Sequence, residues 1–552
     1  MIMGRLQVEA SQLGCPGSGT KGKYCGVKCC ISVVNVQASV QIKYDAFAHG
    51  SSFFFIAGTS QGWVPDFRPS SADSDETRVS WTPCDYLHQY VPEEVYEKMA
   101  YAINRTHVEP TGHFLNVSTG ELKTFFGISL AMSCLAYPQI QMYWKKKTRV
   151  PLSANSMARN RYFKLRRRLQ IVNELDISDD ENKEDLLWRI RPLVSCLPEG
   201  CRKIPRPEHV CIDEQMIPFT GRTQLKQYVP REPNPEGLKN FVLAAPNGLI
   251  LDFDIYQGKK ASLCPGASGI AESAVLRLTE SLEPGTKLYF DRYFTSGPLP
   301  DKLQQKGIAA TGPLMNNRLP KGVKLSSEKE LKEHGRGASE EWTRTDKRQV
   351  VLRWYDNKAI TMLSSIHGQE PEDTCRRWSR KEDKYIDVPR PYIIAIYNLN
   401  MGGVDLADRM ISYYRIKARV NKWTIRSMFH LFDIAVAYSW RQYTEDLRAQ
   451  QKRTKEIPKF LEFRLEIAET LVEHGQKIDN EESDSDADWA PPSKRATSTG
   501  SMHHLPRLAD TANAARCRLQ GCRMKTKFFC RKCQLFFCVT KERRCFELAH
   551  TK

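Results

Sequence analysis

Between residues 86 and 190, apolar side chains recur at three- and four-residue intervals, the spacing of a helix face turned toward a core. A helix is predicted over 92–103, opened by Pro92 and the acids Glu93 and Glu94, with others over 119–130 and 156–169. In the last of these, Met157, Phe163, Leu165 and Leu169 fall along one side, while Arg159, Arg161, Arg166, Arg167 and Arg168 lie elsewhere. Such a basic face either follows phosphates or is simply solvated. Residues 127–137 are the longest apolar run, short of the roughly 18–20 residues of a membrane span, and predict a buried helix.

From 207 to 312 the period changes. Strands are predicted at 209–219, 224–229, 238–245 and 249–256, the last two joined through Pro246, Asn247 and Gly248, a hairpin signal. A helix over 270–282, a strand ending at Asp291, a helix over 298–306 and a strand over 307–311 follow. Hairpins followed by alternating strands and helices describe a mixed sheet covered by helices, an α/β (α+β multi-domain) chain. Residues 313–390, rich in Lys, Glu and Gly and holding a second hairpin over 349–363, predict an insertion rather than part of that sheet. A strand around 393–397, a turn at Gly402 and Gly403, and helices over 401–415, 424–448 and 458–474 complete the pattern. Residues 1–80 show no periodicity and are expected to be disordered or poorly defined, and 476–502 form an acidic, Pro-containing linker.

Composition narrows the class. The 82 Lys and Arg against 64 Asp and Glu give a net charge of +18, which favours a polyanionic partner, with nucleic acid the usual one. The N-terminus has no compact basic-then-apolar signal, which argues against secretion. Of 17 cysteines, six lie between Cys517 and Cys545, a grouping that suits a local metal site in a reducing compartment better than a disulfide framework. Cys517, Cys522, Cys530, Cys533, Cys538, Cys545 and His550 are spaced for tetrahedral Zn²⁺, and so short a segment needs the metal to fold. Seven donors exceed one site. A second Zn²⁺ needs an eighth, for which His504 is the best placed candidate.

Three acids carry the remaining chemistry. Asp213 sits within an apolar strand, Asp291 ends another, and Asp405 stands at a helix start with Asp408 three residues on, on the same helix face. Converging carboxylates repel unless cations neutralise them, and hard cations such as Mg²⁺ take oxygen ligands. Two such ions activate an attacking oxygen and stabilise the leaving one in phosphodiester displacement. Taken singly, each acid is equally an ordinary surface residue.

The order of these features resembles the piggyBac transposase family. The likeness runs from about residue 80 to the C-terminus, through Asp213-Glu-Gln with Gly221 and Arg222, Asp291 before Arg292 and Tyr293, Tyr397 and Asn398 with Met401 to Asp408, and Asn421-Lys-Trp423. The resemblance implies an RNase H-like core with Asp213, Asp291 and Asp405 as the metal-binding catalytic triad and Asp408 as an accompanying acid. It also implies DNA contacts at Arg318, Lys422 and Trp423, the last stacking on a base. Further implications are Mg²⁺ or Mn²⁺ in the core, one or two Zn²⁺ in the tail, transposon-end duplex DNA and a TTAA target as partners, a homodimer and a nuclear location. The expected domains are a helical dimerisation and DNA-binding part (81–205), a core (206–312 and 391–475, the latter with its following helices), an insertion (313–390) and a zinc domain (503–552). Hydrolytic nicking, hairpin formation by the freed 3′-hydroxyl and strand transfer are the implied reactions. Arg292, Met315 and Arg409 depart from the family pattern. A domesticated or decayed copy that binds DNA or chromatin without cutting is therefore the competing expectation.

Overall fold

The computed structural model describes residues 55–57, 65–68, 78–111, 115–173, 176, 185–230, 232–258, 267–417, 420–485, 506–509, 514–530, 533–540 and 543–550. The chain divides into two compact units, one holding the sheet (with 201–220 and 224–412) and one holding most of the helices and the cysteine tail (with 75–200 and 413–552).

The first unit is built on a ten-stranded mixed sheet. Its strands are β1 (Phe55–Ala57), β2 (His209–Pro218), β3 (Lys226–Tyr228), β4 (Glu236–Ala244), β5 (Ile250–Ile255), β6 (Lys287–Phe290), β7 (Ala309–Pro313), β8 (Ser339–Arg344), β9 (Val350–Tyr355) and β10 (Ala359–Ser364). They run in the order β1-β8-β9-β10-β7-β6-β2-β4-β3, with β5 also paired to β4. β2 lies centrally, parallel to β6 and antiparallel to β4. Eight consecutive residues of β4 are buried, as in a strand covered on both faces. The β4–β5 hairpin turns at Gly248, whose φ of +89° is the left-handed conformation that the Asn-Gly pair predicts.

Two expectations are corrected here. Residues 313–390 do not stand apart: β8, β9 and β10 extend the sheet from β7, and only the ribbon of β11 (Asp373–Ser379) and β12 (Lys384–Arg390) forms a sheet of its own. The segment around 393–397 is a helix, Tyr392–Asn400, not a strand. Its run of Ile and Tyr suits a buried strand as well as a short buried helix, and periodicity does not separate the two.

The second unit packs helices Pro83–Tyr90, Glu93–Thr111, Thr119–Leu135, Arg159–Arg168, Trp423–Ala449 and Phe460–Ser485. Helices 119–135 and 460–485 lie close because small residues face each other: a Cβ at Gly120 would come within 2.5 Å of the Gly475 carbonyl oxygen, and one at Gly127 within 2.6 Å of that of Ala468. Phe126 and Phe432 stack at 4.4 Å between centroids in the core. A buried Arg464–Asp433 pair, with Ser133 and the Ile416 amide as further partners, ties three helices and the segment before the second of them together. The buried helix expected over 127–137 is the second half of Thr119–Leu135. Helix 159–168 begins after an extended Met157, two to three residues later than its pattern suggests.

Candidate active site and metal centres

The register of β2 and β6 decides where two of the acids go. Ile212 pairs with Phe290 in a parallel ladder, so Asp213, midway along β2, and Asp291, the residue that follows β6, come side by side. The helix Gly403–Tyr413 brings the third. Its first residue packs so tightly on the sheet that a Cβ at Gly403 would strike the Ala245 carbonyl oxygen and lie 2.9 Å from Cys211 Sγ, within β2. Leu406 packs on Gly248 at the hairpin turn. Asp405 therefore begins its helix over the end of the sheet where Asp213 lies. One turn later, Asp408 accepts a hydrogen bond from the Gln215 side chain, and Gln215 in turn accepts from Asn240 at 3.1 Å. Side chains alternate along a strand, so Gln215 shares Asp213's face of the sheet.

Electrostatics report the same convergence. Buried Tyr397 has its phenol pushed well up, first by burial and then by Asp291, Asp213 and Asp405. Buried Cys211 is raised to about 12 by burial and then by Asp213, with Asp405 also contributing. Two further acids join the group. Glu214 is held above the usual carboxylate range by burial and by Asp291, although Lys239 opposes the shift. Glu232 is raised by burial and then by Glu214, Asp405 and Asp291. Asp405 is exposed and Asp213 and Asp291 are half-buried, so the group is open to solvent. Its oxygen donors fit a hard divalent cation rather than a soft one. Among the described residues, however, these carboxylates do not draw within 4.8 Å of one another as a set of three.

The cysteines do draw together. Cys517, Cys522, Cys538 and Cys545 have their sulfurs within 4.8 Å of one another, and Cys530, Cys533 and His550 form a second such set. The two sets interleave along the chain, with the pair 530 and 533 falling between members of the first. A small apolar core of Leu535, Phe537, Phe546 and Ala549 packs around them. In the second set His550 Nδ1 lies 2.8 Å from the Phe546 carbonyl oxygen, to which only an N–H can donate. That fixes the tautomer and turns the Nε2 lone pair toward Cys533 Sγ at 3.4 Å, as a ligand requires. In the first set, the Met524 amide holds the Cys522 thiol down at about 7. Four sulfurs, and two sulfurs with an imidazole, are donor sets that suit Zn²⁺. His504 lies outside the described residues; the strand Pro506–Leu508, two residues beyond it, starts opposite Cys530.

Comparison with known proteins adds ancestry to this geometry. The PiggyBac transposable element-derived protein 3 of Homo sapiens is 30% identical over 481 residues, 85% of this chain and 77% of that protein. A family model for Transposase IS4 matches residues 82–440. The chain belongs to the piggyBac-type transposase family. The human PiggyBac transposable element-derived protein 2 is 27% identical over 336 residues, 59% of this chain and 56% of that protein. A piggyBac transposase solved as a synaptic complex with hairpin DNA shares the fold, at TM-score 0.61 and 19% identity over 80% of this chain and 90% of that one.

The positions at which this piggyBac-type chain departs from its family have definite surroundings. Arg292 is exposed, and among the described residues no ion pair joins it to Asp291. Met315 precedes the short turn Asn316–Arg318, and Arg409 follows Asp408 on the helix face beside it. In the helical unit, Lys164, Arg167, Arg168 and Lys422 line an open cavity of about 690 Å³ with the amides of Asn160 and Asn421. Lys422 caps and Trp423 begins the 27-residue helix Trp423–Ala449. The basic face of helix 159–168 is thus divided: Arg161 pairs with Glu121, Arg166 donates to the Lys417 carbonyl, and Lys164, Arg167 and Arg168 line the cavity. The sequence assigns no role to Gln215, Asn240 and Lys239, which are polar side chains inside apolar strands with no spacing signal of their own.

Proposed function

We propose that this chain is a DNA transposase of the piggyBac type, cutting and joining strands at TTAA targets through a divalent-metal site of Asp213, Asp291 and Asp405, with Asp408 beside it. The observation that carries the reading is the parallel register that sets Asp213 and Asp291 side by side, with Asp405 delivered over the same sheet end. When bound, Mg²⁺ or Mn²⁺ supplies charge neutralisation and activation of the attacking oxygen. The chain's own residues hold the geometry. Gln215 orients Asp408, Gly403 allows the helix to seat, and half-buried carboxylates present oxygens to solvent. Hydrolytic nicking leaves a 3′-hydroxyl, which displaces a strand at a second phosphodiester, so each step exchanges one P–O bond for another in one site. The cavity of Lys164, Arg167, Arg168 and Lys422 supports duplex DNA as the partner, its cations matched to phosphates spaced along a backbone. The solved relative's hairpin DNA agrees with that chemistry. The tail takes two Zn²⁺, the second completed by His504. A homodimer and a nuclear location go with this reading.

A domesticated factor that binds DNA without cutting is the second reading. It is favoured by the two human relatives, whose names describe them as derived from transposable elements. A labelled duplex carrying the TTAA-bounded inverted repeat of the chain's own locus separates the two. Mg²⁺-dependent hairpin product from the wild type and none from Asp213→Ala supports the transposase. Salt-sensitive binding with no product from either supports the second reading.

A further inference from the structure

The turn that follows Asp291 is held by two cations that no catalytic role requires. The Asp291 carbonyl accepts from the Phe294 amide at 3.0 Å and from Thr295 Oγ1 at 3.2 Å, closing a tight turn at the end of β6. Gly312 on the neighbouring β7 leaves the space for it, since a Cβ there would sit 2.5 Å from Thr295 Oγ1 and 2.7 Å from the Phe290 carbonyl oxygen. Arg318 Nη1 faces the same turn, 2.7 Å from the Thr295 carbonyl oxygen, 2.9 Å from that of Tyr293 and 3.3 Å from that of Arg292. From the other side, the Lys239 ammonium lies 3.9 Å from the centroid of the Tyr293 ring, over its face, and 3.5 Å from Glu214 Oε1. Lys239 is only 8% exposed, and Glu214 follows Asp213 directly on β2. Strand alternation puts Glu214 and Lys239 on the sheet face opposite Asp213. The turn is therefore gripped through its carbonyls by one cation and through its aromatic side chain by the other.

We infer that Arg318 and Lys239 are positioning residues that clamp the Asp291 turn to β2, and so set the distance between the Asp291 and Asp213 carboxylates. This gives Arg318 a task other than the phosphate contact that family resemblance implies for it. A guanidinium whose Nη1 is engaged with backbone carbonyls has that arm of its planar fork committed inside the protein, which fixes its orientation against the turn. Lys239 offers a compact charge that satisfies a carboxylate and a ring face at once. Supporting groups of this kind matter because a metal site tolerates only about 0.5 Å of slack among its ligands.

The inference rests on the proposed metal site, and the test keeps the two apart. On the full chain, Mn²⁺ binding is followed by electron paramagnetic resonance for wild type, Asp213→Asn, Arg318→Gln, Arg318→Lys and Lys239→Met. Hydrogen exchange of the peptide spanning 290–296 is measured in parallel without added metal. The expected result is Asp213-dependent Mn²⁺ binding that weakens about 10-fold to 100-fold in Arg318→Gln and Lys239→Met, as loss of an outer supporting contact does. Arg318→Lys, which keeps the charge but not the fork, does not rescue. Exchange at 290–296 quickens in the same variants, while zinc content is unchanged. If Arg318→Gln leaves both Mn²⁺ affinity and exchange at wild-type values, and instead lowers the salt dependence of DNA binding by about one phosphate contact, the clamp is overturned and the phosphate role stands. If the wild type shows no Asp213-dependent Mn²⁺ binding, the metal site fails. Faster exchange in the variants would then show a clamp on the turn alone, and unchanged exchange would remove the clamp as well.

Discussion

The cysteine tail and the carboxylate group at the sheet end are both ligand sets, and they are assembled to different degrees. In the tail, seven soft donors already lie in two knots tight enough for an ion each. Around β2, Asp213, Asp291 and Asp405 influence the same buried tyrosine, yet they do not close to the same distance as a set of three among the described residues. The difference follows from charge. Thiols can approach as neutral groups around a small apolar core, whereas two carboxylates 4 Å apart oppose each other by about 4 kcal/mol at an effective dielectric near 20. Under the proposed reading, the first set would act as structural glue once zinc is bound, and the second would wait for a cation to draw it together.

Removing a tail ligand should have the largest effect. Cys530→Ser is expected to lower zinc content and unfold 506–550, because structural zinc in so small a segment accounts for about 10–16 kcal/mol of apparent binding free energy at neutral pH. Elemental analysis and limited proteolysis read this directly. A tail that stays protease-resistant without zinc would make its apolar core self-sufficient, and the contrast would collapse.

A backbone change at the carboxylate end ranks next. Gly403→Ala forces a methyl against the Ala245 carbonyl and Cys211, and the helix carrying Asp405 and Asp408 must lift. Overpacking of this kind costs about 1–3 kcal/mol. Thermal unfolding should fall accordingly, and Mn²⁺ affinity should fall with it because Asp405 moves. Equal stability with intact metal binding would show that the helix seat is slack.

How much of this was legible in the chain itself depends on the kind of signal. The β2 strand and the Asn247–Gly248 hairpin stand out because short apolar runs and turn chemistry are local, and both appear where expected. Asp213, Asp291 and Asp405 were legible as a group only through their order along the chain; the register of Ile212 on Phe290 that joins two of them is a long-range fact. The hairpin over 349–363 appears as β9 and β10, but its place in the main sheet, like the helix at Tyr392–Asn400, differs from expectation. The short apolar run from Tyr392 to Tyr397 carries no period, and membership of a sheet is decided by partners distant in sequence. The interleaving of the cysteine sets was equally invisible, since spacing gives pairs but not which pairs share an ion.

Asp405→Asn should act in the opposite direction from a lost cysteine. Without divalent metal, removing one charge from a repelling group is expected to raise stability, toward the lower end of about 0.5–2 kcal/mol because Asp405 is exposed. In saturating Mn²⁺ the wild type should overtake it, because only the wild type gains linkage energy from the ion. Calorimetry with and without metal gives the sign in each condition. A variant less stable in both would mean that Asp405 serves the fold.

The smallest effect, and the sharpest in sign, is pH. Glu214 and Glu232 bind protons more firmly folded than unfolded, held up by burial and by neighbouring acids. Their contribution is fully present below the ordinary carboxylate value near 4.5 and is lost as pH rises through their raised folded values. The zinc tail runs the other way, since protons compete with the ion for thiolate and imidazole as pH falls. Zinc-loaded, magnesium-free chain should therefore lose stability in the sheet unit as pH rises above the ordinary carboxylate value near 4.5, while zinc release increases toward acid. Glu232→Gln should flatten the first slope by a fraction of a kcal/mol per pH unit, less than the 1.4 of a full proton, and leave the second untouched. An unchanged first slope would mean that Glu232 does not share the field of Asp291 and Asp405, and the open ligand set would be the aspartates alone.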